Sequence, residues 1–95
     1  MDSGSPRARI YREIAAELRD VAGWFSGGGM TAEQFRRSVE VFEAAKLERF
    51  GFRLSSEVSK DGNVHFSLRA AENGEWCASV EVNPVTGEAG VRYAH

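Results

Sequence analysis

Residues 52–95, FRLSSEVSKDGNVHFSLRAAENGEWCASVEVNPVTGEAGVRYAH, decide the fold. Three polar turns punctuate this stretch: Lys60-Asp61-Gly62, Glu72-Asn73-Gly74 and Pro84-Val85-Thr86-Gly87, each ending on glycine. A hairpin loop that closes on a left-handed residue needs glycine there, because a Cβ would clash with the backbone. Apolar and polar residues alternate between the turns. Strands are therefore expected at about 52–59, 63–71, 75–83 and 88–95, forming an antiparallel meander in the order 1-2-3-4.

Each turn also sets a register, and the three registers agree on one apolar face. Across the strands its rows read Val58-Val64-Val82-Ala89, Ser56-Phe66-Val80-Val91, Leu54-Leu68-Ala78-Tyr93 and Phe52-Ala70-Trp76-His95. Large and small side chains alternate along these rows, which suits a sheet covered by helices. The opposite face then carries Arg53-Arg69-Cys77-Ala94, Ser55-Ser67-Ser79-Arg92 and Glu57-His65-Glu81-Gly90.

Upstream, Ser5-Pro6 is a helix start with proline at the first helical position, and Ile10, Ile14, Leu18 and Val21 follow at helical spacing. The first helix is expected at about 6–22, ended by Gly23 before the bend Gly27-Gly28-Gly29. Thr31 and Gln34 have the spacing of a capping box, and Met30 and Phe35 that of a hydrophobic staple. A second helix follows at about 31–50, with Phe35, Val39, Phe42 and Phe50 along its broad apolar stripe, Val41, Ala45 and Leu47 beside it, and Gly51 at its end. The fold class is thus α+β, with two amino-terminal helices on one face of a four-stranded meander and residues 1–95 as a single domain.

Ninety-five residues bury only about 60–65% of the surface that the unfolded chain exposes, so a core of this size benefits from being shared. Twelve Lys and Arg against fourteen Asp and Glu leave a net charge of −2, which creates no field to gather nucleic acid or an anionic membrane. The lone Cys77 cannot close an internal disulfide, no apolar run is long enough to span a bilayer, and residues 1–5 lack a secretory pattern. A cytoplasmic location is expected, with no membrane and no cofactor.

The open sheet face is where function is expected to be written. Serine, glycine and alanine are poor strand formers on a solvated face, so Ser55, Ser67 and Ser79 suggest a surface that another body approaches. The leading expectation is a small non-enzymatic protein-binding or regulatory module of the inhibitor, immunity or adaptor type. It would self-associate as a homodimer through this face or an edge strand, strand four being only mildly protected by Gly90 and Arg92. Trp24 and Phe25, two aromatics before the glycine bend, either plug the core or anchor an interface.

Two other chemistries fit the same face. Arg53, Arg69 and Arg92 could grip an anion or a nucleic-acid backbone, although the face has no aromatic platform of the kind RNA-binding sheets use. His65 between Glu57 and Glu81 could form an acid/base or metal site, and the two carboxylates should favour its protonated form. Cys77 beside Arg69 could be a perturbed thiol, but His65 is too far along the strands to activate it. The glycine bend before the second helix lacks the lysine and the preceding strand of a phosphate loop.

Overall fold

The computed structural model describes residues 6–94. Helices α1 (Pro6–Phe25) and α2 (Ala32–Phe50) precede strands β1 (Phe52–Val58), β2 (Val64–Ala70), β3 (Trp76–Val82) and β4 (Ala89–Tyr93). The strands form one antiparallel sheet in the order β1-β2-β3-β4, as the turns require. Strands β1, β2 and β3 are shorter than expected by one or two residues, because the flanking positions close the turns. The expectations for Ser5 as a cap and His95 as a core-row residue lie outside the described residues.

Helix α2 is tied at both ends. Gln34 N–H donates to Thr31 Oγ1 at 3.1 Å and Thr31 N–H donates to Gln34 Oε1 at 3.0 Å, which completes the capping box. At the other end Gly51 turns left-handed (φ 84°) and its N–H donates to the Glu48 carbonyl at 3.1 Å. Helix α1 runs to Phe25, three residues past its expected last residue, Ala22. The helix absorbs Gly23 at a cost of about 1 kcal/mol relative to alanine, which the packing of Phe25 against the core offsets. Gly27 (φ 73°) and Gly29 (φ 78°) are the left-handed residues of the bend, and Gly27 N–H donates to Pro84 O at 2.9 Å.

The first and third hairpins keep the register set by their turns over their whole length, from Phe52↔Ala70 to Val58↔Val64 and from Ala78↔Tyr93 to Val82↔Ala89. The second does not. Leu68 pairs with Ala78 as expected, but Arg69 pairs with Trp76, so β3 carries one extra residue there. The cause is the turn. Gly74 N–H donates to Ala70 O at 2.8 Å and Ala70 N–H to Glu75 O at 2.9 Å, so the loop is the four residues 71–74 rather than the three residues 72–74.

The core lies between the helices and the inner sheet face. Ile14, Leu18 and Val21 of α1 and Phe35, Val39 and Leu47 of α2 pack on Val64, Phe66, Leu68, Val80 and Val82. The Phe35 and Phe66 rings meet at 6.3 Å between centroids. Helix α1 lies over β3 and β4, α2 over β1. Tyr11 Oη fastens α1 to the carboxyl end by donating to Ala94 O at 2.9 Å, and the Arg12 guanidinium stacks 5.2 Å from the Tyr93 ring centroid.

Two core assignments need correction. Trp76 leaves the core row, since the bulge sets it opposite Arg69 on the outer face. Phe42 and Phe50 leave the buried stripe of α2 and are 54% and 50% exposed. The stripe instead repeats every four residues through Phe35, Val39, Glu43 and Leu47.

Candidate functional site

Alternation along the paired strands brings the outer-face residues into the expected rows. Ser55, Ser67, Ser79 and Arg92 share one row, and Glu57, His65, Glu81 and Gly90 the next. The serine row deepens toward its centre, from exposed Ser55 to Ser79, which is 6% exposed. Shallow depressions result, among them about 350 Å³ at Ser55, Glu57, His65, Ser67 and Arg69, and about 290 Å³ at His65, Ser79, Glu81, Gly90 and Arg92. Neither is an enclosed pocket of the kind that buries most of a small ligand.

The expected His65 cluster does not converge. Among the described residues no three His, Cys, Asp or Glu side chains are placed to hold a metal ion. Glu81 instead accepts from Asn63 Nδ2 at 3.2 Å. Cross-strand neighbours on a flat sheet stand side by side and do not point at a common centre, which is why the row yields no coordination site.

The arginines are also apart in their attachments. Arg69 donates from Nη1 to Gly74 O at 3.1 Å and so braces the four-residue turn. Arg53 borders a groove beside α2, while Arg92 sits three strands further across, in the row of Ser79. Cys77 is buried, 6% exposed, with its thiol 3.5 Å from Glu75 O, and Arg69 faces Trp76 rather than Cys77. The bulge thus places on the outer face the aromatic that the alternation pattern denied it.

Trp24, Val41, Phe42 and Phe50 of the two helices are exposed large apolar side chains. Trp24 is 70% exposed and meets Phe42 edge-on, centroids 6.1 Å apart, while Phe25 meets the other side of Phe42 at 6.0 Å. The two aromatics before the glycine bend have divided the roles open to them. Phe25 plugs the core and Trp24 projects. Val41, 77% exposed, and Phe50, 50% exposed, are further apolar side chains in water on α2, nine residues and therefore about half a turn apart around the helix.

Inside α2, Glu43 takes a core position at 1% exposure, and its Oε1 has no hydrogen-bond partner. Lys46 Nζ is 3.7 Å from that oxygen and is itself paired with Glu17 of α1. Burial pushes the Glu43 carboxyl above its ordinary pKa and the Lys46 ammonium below its own. The spacing 35, 39, 43, 47 was visible in the sequence, but the carboxylate in it pointed the stripe toward Phe42.

No match exists to a protein-family model, a curated protein or a solved structure.

Proposed function

We propose that the protein is a non-enzymatic protein-binding module whose contact surface is the aromatic cluster of Trp24 and Phe42 with the adjoining outer side of α2. One observation carries this reading: α2 buries a glutamate while it leaves Val41, Phe42 and Phe50 in water, with Trp24 leaning on Phe42. A contiguous exposed aromatic pair is costly to solubility and marks a site that another surface covers. Trp and Phe are also the side chains that dominate buried interface cores. The partner is a protein with an apolar patch or a projecting apolar side chain, and a reducing, cytoplasmic setting suits the single cysteine.

The test compares proteins captured from the native cell by the wild type, by Trp24→Ser/Phe42→Ser and by Ser67→Arg. A partner lost with the first variant and kept with the second supports the reading. A partner lost only with Ser67→Arg moves the surface to the open sheet face and overturns it.

A second reading is favoured by the bulge, which sets Trp76 opposite Arg69, one strand from Arg53. A guanidinium pair beside an indole could hold an anion or a nucleic-acid backbone through hydrogen bonds and stacking. Binding of a single-stranded oligonucleotide that falls steeply with salt and is lost in Arg53→Ala/Arg69→Ala supports it, and no binding at low salt removes it.

A further inference from the structure

We propose that the open edge of β1 pairs with β1 of a second copy about a two-fold axis through Ser55. This pairing goes beyond the reading above, because it uses the β1 side of α2, whereas Phe42 faces Trp24 and Phe25 of α1.

Four observations support it. First, β1 is an edge strand seven residues long, with no proline, lysine or bulge to discourage pairing. Second, its backbone phase is fixed by neighbouring bonds, since Ala71 N–H donates to Gly51 O and Ser59 N–H donates to Asn63 O. Alternation from those pairs turns the groups of Arg53, Ser55 and Glu57 toward β2, leaving those of Leu54, Ser56 and Val58 to face outward. An antiparallel partner centred on Ser55 sets Leu54 against Ser56 of the other copy, and the reverse, so the outward groups meet in phase.

Third, this centring is self-complementary in charge. It places Arg53 of each copy opposite Glu57 of the other on the outer face, twice by symmetry. Centring on Leu54 or Ser56 instead sets Arg53 against serine. On β4 a two-fold through Gly90 would set Arg92 against Glu88, but Glu88 lies outside that five-residue strand, whereas Arg53 and Glu57 both lie within β1. Fourth, a groove of about 500 Å³ lies between α2 and the β1 edge, bordered by Glu40, Ala44, Leu47, Phe52 and Leu54. The same register brings Val58 of the second copy, 38% exposed in one copy alone, opposite Phe52 at that groove.

The deciding experiment is sedimentation velocity over a concentration series, with wild type, Arg53→Glu, Glu57→Arg and an equimolar mixture of the two variants. The pairing predicts a wild-type dimer, and each single reversal weakens association by at least about tenfold because it opposes like charges twice. Mixing the variants restores the dimer, since one copy then offers two acidic and the other two basic residues at the paired positions. That recovery also shows that both variants fold. A wild type that stays monomeric up to about 1 mM, variants that dimerise as well as wild type, or a mixture that fails to recover would each overturn the pairing. A monomeric wild type leaves the Trp24 and Phe42 surface to its own capture test.

Discussion

Helices α1 and α2 lie side by side on the same sheet face, yet they sort their residues by different rules. Helix α1 buries Ile14, Leu18 and Val21 and sends Arg12, Glu13, Glu17, Arg19 and Asp20 into water. Helix α2 buries Glu43 and exposes Val41, Phe42 and Phe50. Burial in a core explains the first helix as far as Trp24, which is 70% exposed at its end. The second carries features that cost stability in a single copy, and such features are retained where a surface meets something other than water.

The largest effect that can break this contrast is a pair of phenylalanine truncations on α2. Phe35→Ala should cost about 3–5 kcal/mol in urea unfolding, because the side chain is fully buried against Phe66. Phe42→Ala should cost no more than about 1.5 kcal/mol, the worth of its edge-on ring contacts. Equal losses would make Phe42 a core residue and erase the difference between the helices.

Replacing the buried carboxylate sharpens the contrast from the other side. Glu43→Leu should stabilise the protein by about 1–4 kcal/mol at neutral pH, since Lys46 keeps its pairing with Glu17. Glu43→Gln should reveal the sign by its pH dependence. The folded carboxyl is raised, so its burden is absent below the ordinary glutamate range, grows as pH rises toward the raised value and is complete above it. The gain from glutamine should therefore vanish in acid and grow as pH rises above the ordinary glutamate range. A gain that grows in acid would mean that Glu43 is held as a stabilising anion.

Smaller effects complete the series. Thr31→Ala removes the cap of α2 and should cost about 1 kcal/mol by thermal or urea unfolding. Val41→Ser, at a position 77% exposed, should change monomer stability by no more than about 0.5 kcal/mol. A larger loss would place Val41 in an intramolecular contact.

The sheet was legible because hairpin loops that end on left-handed glycine determine phase, and phase determines every side chain beyond it. The first and third loops closed where their residues indicated. At the second, Ala71 could serve as the last strand residue or the first turn residue, and the glycine at 74 suits both. The turn took Ala71, and Trp76 moved from core to outer face in consequence. The serine and His65 rows were foreseen because they lie beyond the bulge, where phase is restored. What the outer face does chemically was not, because row order says nothing about whether side chains converge. On α2, ranking by hydrophobicity chose Phe42 over Glu43, whereas the four-residue repeat from Phe35 through Val39 to Leu47 passes through the glutamate.

The account turns on Trp24, and its fluorescence reports on that residue alone once the second of the two tryptophans is removed by Trp76→Phe. In the free protein Trp24, 70% exposed, should emit at the long wavelengths of a solvated indole. Titration with the captured partner should shift that emission to the blue and saturate with the same affinity as binding itself. Saturable binding that leaves the Trp24 emission unchanged would contradict the proposal that this cluster is the contact surface.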